Sequence, residues 1–371
     1  MKNNNLNNKT NYLFSFLAKI NWVVYFSLVL LTIIGATVLF SVSQGTFYPL
    51  VSSHLIKFMI SSIAFFIVCL MSINFFYKFS YLIYLSSIIM LILVLFLGND
   101  DQGANRWIYF AGFTFQPSEL SKIAVVLCLS RYYHDYQLIN HNNLLKVLFP
   151  ILIIFLPVSF VLNQPDLGTA LLILISSLSV IFLSGIGLRY IISAIIIIGL
   201  SAPVIWNFLY QYQKQRIITF INPEQDPLGS GYHIAQSKIA IGSGGVLGKG
   251  YTKGSQSHLE FIPEMHTDFV FSIFSEEFGF LGSLILMTIY SYIIYYGIKC
   301  SYKASKTFSK LAISGLTINI FLYFIINISM VVGLIPVVGV PLPLVSYGGS
   351  AMLVAMISFG LIMSLNKFTE N

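Results

Sequence analysis

Hydrophobic positions along this chain gather into ten runs, at 22–42, 54–73, 80–97, 118–133, 146–162, 167–185, 189–210, 268–298, 308–332 and 345–366, with polar connectors between them. A helix crosses the hydrocarbon of a bilayer with about 20 predominantly apolar residues, so each run predicts one spanning helix. The fourth is unlike the rest. Glu119 and Lys122 fall in its first turn, and its unbroken apolar part reaches only from Ile123 to Leu129, which predicts a helix inside the bundle and away from lipid. Between the seventh and eighth runs lies the one long hydrophilic stretch, 211–266. It is too short for an independent domain and too long for a plain connector, as functional and disordered loops are. Apolar spacing from Tyr232 to Ile241 predicts a short amphipathic helix within it. The pattern therefore predicts an all-α, polytopic membrane protein: a single domain over residues 1–371 with about ten transmembrane helices and one large extracytoplasmic loop.

Composition agrees, since 57% hydrophobic residues, 9% charged residues, 32 Phe and 22 Tyr present more apolar surface than a water-soluble core can hide. The run starting near Trp22 is too long for a secretory signal and lacks its small-residue cleavage pattern, so it stays as the first membrane helix. Cys69, Cys128 and Cys300 sit in or at the ends of apolar runs and suggest neither a disulfide framework nor a metal-ligand spacing. The net charge of +7 is scattered between spans rather than gathered on one soluble face, which argues against a nucleic-acid partner. Lys299, Lys303, Lys306 and Lys310 cluster in one short connector and set both termini in the cytoplasm. On that assignment Asp100, Asp101, Glu119, Asp166, Glu224, Asp226, Glu260, Glu264 and Asp268 all face outward, leaving Asp135 and Glu370 inside. The chemistry faces outward with them.

The densest of these groups is 258–280, where a polar acidic segment turns directly into an apolar helix and places Asp268 at a membrane surface. Ionisable groups at membrane depth are costly and usually functional. The structural alternative is an ordinary helix start, with Thr267 as N-cap and Asp268 stabilised in the first turn. Glu119 and Lys122 are three apart, hence on one helix face, and can neutralise each other as a purely architectural pair. Asp166 follows Pro165 at the start of the sixth run, where a carboxylate caps free amides. Arg106 lies in an aromatic-rich loop that suits an interfacial segment or a snorkelling arginine. The glycine run IGSGGVLGKGY fails the phosphate-binding Walker pattern twice, because position 243 is Ser and Gly250 follows Lys249. Lys214, Arg216, Lys238, Lys249 and Lys253 of the same loop remain available for phosphate at the headgroup level. Near the C-terminus, Pro336, Pro341, Pro343, Gly348 and Gly349 mark either a kinked turn or a re-entrant segment walling a site, since irregular backbone at membrane depth must line protein or a wet cavity.

The blocks GANRWI, FQPSELSKIAV, NQPDLGTALL, YQKQRIITFINPEQDPLGSGYHIAQSKIAIGSGG, EFIPEMHTDFVFSIFSEEFGFLG and GVPLPLVSYGGS resemble the SEDS family, in order and spacing, over nearly the whole chain after the first helix. The wording of the 211–233 stretch and the short tails bring it nearer the elongation-type members than the division-type ones. The resemblance implies a ten-helix peptidoglycan glycosyltransferase in the bacterial cytoplasmic (inner) membrane, polymerising lipid II into glycan strands on the outer face during cell elongation. It implies that Asp268 is the acidic residue essential for polymerisation and that Glu119 and Lys122 are the family's paired acid and base. Arg106, Asp166 and Arg216 also fall on its motif positions.

In the mechanism this implies, Asp268 deprotonates the 4-hydroxyl of the incoming GlcNAc, and attack on the MurNAc anomeric carbon inverts it. Lys122, oriented by Glu119, and Arg216 bind phosphate, with Arg106 a weaker candidate. No cofactor is certain from the resemblance; a divalent cation, Mg2+ or Mn2+, is a candidate to share that task with Asp268. Implied partners are a class B penicillin-binding protein, other elongation-complex membrane proteins and membrane lipid. The alternatives are a lipid II flippase, which needs charge at mid-depth, and a non-catalytic scaffold, whose polar motifs would tolerate substitution. The second, third, seventh and ninth spans are nearly free of ionisable groups, which favours surface chemistry over transport.

Overall fold

The computed structural model describes residues 20–366 apart from 102–103, 111–112, 137–144, 187–191, 223–228, 256–264 and scattered positions between 194 and 208. Half of the predicted span 189–210, and the acids Glu224, Asp226, Glu260 and Glu264, lie outside these residues. Helices α1 (Trp22–Val42), α2 (Leu50–Leu70) and α3 (Ile73–Leu97) come first. A small sheet of β1 (Asn99–Asp101), β2 (Ala104–Phe110) and β3 (Phe113–Phe115) follows, then α4 (Pro117–Asp135), α5 (Leu145–Asn163) and α6 (Leu167–Leu183). Two helices of the long hydrophilic stretch, α7 (Gln211–Ile221) and α8 (Ser230–Ser243), precede α9 (Val270–Lys303), α10 (Thr307–Val332) and α11 (Gly349–Asn366).

Among the described residues, α1, α2, α3, α9, α10 and α11 are long and apolar enough to cross a membrane, while α6 and the Leu148–Asn163 part of α5 are shorter apolar helices. Helix α4 is less apolar yet more deeply placed. Every residue from Pro117 to Tyr133 except Leu120 and Arg131 is buried, against α3, α5, α6 and α10. Its Glu and Lys side chains would be costly against lipid, and burial inside protein gives them partners. Helix α8 spans the predicted amphipathic stretch, whereas α7 was not anticipated. Neither was the antiparallel β1–β2–β3 sheet, which forms where the sequence alternates aromatic and β-branched residues around Trp107.

Helix α9 is interrupted at Gly279, whose φ of +65° and ψ of −161° leave the helical region. Loop backbone supplies the partners that the interruption requires. The amides of Lys249 and Gly250 donate to the carbonyls of Glu276 and Glu277, and those of Phe280 and Leu281 donate to Gly245 and Val246. The glycine run is thus a strap docked on a broken helix.

After Gly333 ends α10 in the left-handed conformation, residues 334–348 run through the bundle with no regular structure until α11 begins. Val340, Leu342, Leu344, Val345 and Ser346 are nearly inaccessible. Prolines 336, 341 and 343 remove three backbone donors from this segment, and its carbonyls turn to side chains. The hydroxyl of Tyr290 donates to Pro343 O and the amide of Asn327 donates to Val340 O. Two helices admit the segment through glycine: a Cβ on Gly35 of α1 would stand 2.5 Å from Val345 O, and one on Gly168 of α6 would stand 2.6 Å from Val338 O. Small residues serve helix packing in membranes in the same way, by letting backbones approach.

Candidate functional site

The starts of α4, α6, α9 and α11 meet at one end of the bundle. Backbone and side-chain bonds fasten them: Tyr347 N to His266 O at 2.8 Å, Gln116 N to Ser350 Oγ at 3.1 Å, and Gln116 Nε2 to Asp166 Oδ2 at 2.8 Å.

Asp268 occupies the turn that leads into α9 and is half-buried. The N-cap of α9 is Phe269, which makes no side-chain capping bond, so the Thr267 cap expected from the sequence is displaced by two residues. Beneath the carboxylate lies Gly339, with φ +72°; a Cβ there would sit 3.4 Å from Asp268 Oδ2. The main-chain carbonyl of Asp268 accepts a 2.9 Å bond from Asn327 Nδ2, and the same nitrogen donates to Val340 O at 2.8 Å. The re-entrant segment therefore forms the floor under Asp268.

Glu119 and Lys122 form a 2.6 Å ion pair with side chains 5% and 0% exposed. Tyr323 of α10 completes it. Its hydroxyl donates to Glu119 Oε1 and Oε2 at 2.6 and 2.5 Å, contacts the Lys122 ammonium, and its ring lies 4.2 Å from Lys122 Nζ. The Lys122 charge is closed off on every side, so in this arrangement the expected phosphate ligand is an internal ion-pair partner.

Asp166 caps α6, accepting from Thr169 N at 3.1 Å, while its second oxygen takes the Gln116 amide. Gln116 links it to the ion pair's helix, since the Gln116 carbonyl accepts from Glu119 N at 3.1 Å. Arg106, on β2, donates through Nε to Gln164 O and through Nη2 to Pro165 O, both at 2.8 Å. Its guanidinium fixes the turn that presents Asp166. Arg216 is half-buried on α7, which packs on α8. The structure brings Glu119, Lys122 and Asp166 together, and ties Arg106 to the turn before Asp166.

Lys249 corrects a second expectation. Rather than standing ready for phosphate, it pairs at 2.6 Å with Glu276, a carboxylate that is itself inaccessible and also accepts from Ser255 N and Oγ at 2.9 Å each. Ser41 of α1 donates to the neighbouring Glu277. Helix α2 is likewise less free of ionisable groups than its hydropathy suggests: it carries His54, fully buried, and Lys57, whose ammonium lies 3.8 Å from the centre of the Tyr347 ring.

Sequence reasoning missed Tyr323, Asn327, Gln116 and Lys57. The available signal was a polar side chain inside an otherwise apolar span, strongest for Asn327. Among the described residues no three His, Cys, Asp or Glu side chains gather into a metal-binding group. A single carboxylate such as that of Asp268 nevertheless suits Mg2+, which keeps several waters and takes substrate phosphate oxygens.

A family model for the cell cycle proteins FtsW, RodA and SpoVE matches residues 16–371. The chain is 46% identical over 289 residues to the peptidoglycan glycosyltransferase MrdB of Escherichia coli K12, covering 76% of each. It is 36% identical to the Helicobacter pylori 26695 protein of that name, over 91% of this chain and 86% of that one. In structure it is similar to one chain of a peptidoglycan synthase complex in which polymerization and crosslinking are coordinated, with a TM-score of 0.83 and 26% identity over 94% of this chain and 98% of that one. It also shares the fold of the rod shape determining protein RodA of Thermus thermophilus, with a TM-score of 0.71 and 23% identity over 95% of this chain and 98% of that one.

Proposed function

Because this chain belongs to the FtsW/RodA/SpoVE family, we propose that the end of the bundle holding Asp268 is its polymerising site. The chain is a multi-pass membrane protein and a peptidoglycan glycosyltransferase. The finer reading is that it joins lipid II units on the outer face of the bacterial inner membrane, with both termini in the cytoplasm. It works there beside a class B penicillin-binding protein that crosslinks the product.

One observation carries the site: a half-buried carboxylate held over a glycine floor, at the end of the bundle where four helix starts meet. Asp268 accepts the proton of the acceptor 4-hydroxyl as that oxygen forms its bond to the donor's anomeric carbon. The bond from that carbon to the lipid pyrophosphate breaks, the pyrophosphate leaves with the electron pair, and the α-linked donor becomes a β-linked product. Gly339 leaves the carboxylate room on its floor side, and Asn327 fixes the main chain that carries it. Arg216 is the loop cation assigned to the pyrophosphate. Lys122 joins it only on separation of α4 from α10, because Glu119 and Tyr323 enclose its ammonium. Asp166 and Arg106 act by holding the start of α6 in place. A divalent cation held by Asp268 would neutralise charge on the departing pyrophosphate.

The test is glycan polymerisation from purified lipid II by the chain with its partner, comparing wild type with Asp268→Ala at matched folded amounts and with divalent cation varied. Polymer from wild type alone supports the assignment. Equal polymer from both removes Asp268 from the chemistry.

A further inference from the structure

Asn327 is a fully buried amide in an apolar stretch of α10. Burying such a group is costly unless its hydrogen bonds are met. Both bonds from Nδ2 reach main-chain carbonyls of segments that precede and follow α10 in sequence, Asp268 O at 2.9 Å and Val340 O at 2.8 Å. Its Oδ1 accepts no hydrogen bond among the described residues. Two carbonyl acceptors fix the amide's orientation, since the reversed amide would set oxygen against oxygen. The amide is therefore present for its donors.

The two carbonyls are informative. One belongs to the residue read as the base; the other immediately follows Gly339, the floor beneath that residue's carboxylate. A single nitrogen thus sets the separation between Asp268 and its floor. Four residues before it on the same face of α10, Tyr323 grips Glu119, so one helix face spaces the carboxylate from the ion pair.

We propose that Asn327 is a positioning residue for Asp268, holding the turn that carries the carboxylate and the re-entrant segment beneath it in fixed register. This rests on the reading of Asp268 as the base. Displacement of a reacting group by about 1 Å costs on the order of a hundredfold in rate, with little effect on parts of the substrate bound elsewhere.

The experiment compares wild type, Asn327→Leu, Asn327→Ser and Asp268→Ala as full chains in complex with the class B partner, with rates expressed per folded complex over a range of lipid II concentrations. Asn327→Leu keeps the side chain's size and removes both donors. The expected result is a kcat at least about tenfold lower with a KM within about twofold of wild type. Unchanged kcat overturns the proposal, as does a loss carried by KM. Should Asn327→Leu fail to fold, Asn327→Ser, too short to bridge both carbonyls, is read by the same criteria. An active Asp268→Ala overturns the underlying assignment of the base. An inactive Asp268→Ala beside a fully active Asn327→Leu overturns the positioning role alone.

Discussion

The hydroxyl of Tyr323 reaches both carboxylate oxygens of Glu119, at 2.6 and 2.5 Å, from a helix 204 residues further along the chain. Together with Lys122 it makes a sealed polar triad near the start of α4. Removing one partner of a buried ion pair costs about 3–5 kcal/mol, whereas replacing both with apolar groups of similar size is often neutral. Glu119→Leu is therefore expected to lower the thermal unfolding temperature in detergent sharply, and Glu119→Leu combined with Lys122→Met to recover most of it. A Glu119→Leu protein as stable as wild type would show that the pair contributes no such compensation.

Asp166 offers a smaller and separable effect. Asp166→Ala removes the cap on Thr169 N and the acceptor for Gln116, with an expected loss of about 1–2 kcal/mol. Asp166→Asn keeps the capping oxygen and should retain more than half of that stability. Thermal melts of the two variants side by side decide the matter, and equal melts would remove capping as the role.

Substitutions at Gly339 address the carboxylate without touching it. Alanine at φ +72° costs about 1–2 kcal/mol of backbone strain and adds a methyl 3.4 Å from Asp268 Oδ2. Gly339→Ala should fold and polymerise more slowly than wild type, and Gly339→Val should be nearly inactive. Wild-type rates from purified Gly339→Val would mean that the carboxylate acts in some other position.

Lys249 and Glu276 are not equivalent partners. Lys249 is 29% exposed and can find water when its partner is lost, while Glu276 is inaccessible and also orders Ser255. Glu276→Leu should therefore increase hydrogen exchange across 244–255 more than Lys249→Met does. The opposite ranking would place the strap's attachment in its backbone bonds alone.

Much of this arrangement could be read along the chain. The apolar run at 22–42 coincides with α1, the Pro165–Asp166 pair does mark a capped helix start, and the acid and base three apart in α4 do pair. Each of these is a local relation, decided by neighbours within a turn or two. The relations that sequence does not show are those between separate elements. Arg106 reads as an interfacial arginine because sequence does not show the carbonyls of Gln164 and Pro165 coming to it, and Lys249 reads as available for phosphate because its partner Glu276 lies in α9, 27 residues on. Tyr323 and Asn327 sit in a span whose mean hydropathy hides them, and only the packing of α10 against α4 and the Asp268 turn gives them partners.

The break at Gly279 also gives the first turns of α9 a choice between two hydrogen-bonding arrangements. Phe280 N and Leu281 N stand four residues beyond Glu276 O and Glu277 O, so with the strap undocked these same groups can pair with one another as in an unbroken helix. The strap precedes α9 in sequence and the two are joined by a short stretch of chain, so their contact closes only a small loop. Docking therefore exchanges these helical bonds for bonds to residues 245–250, and a chain lacking that strap would regain a continuous α9 rather than a helix with unpaired backbone.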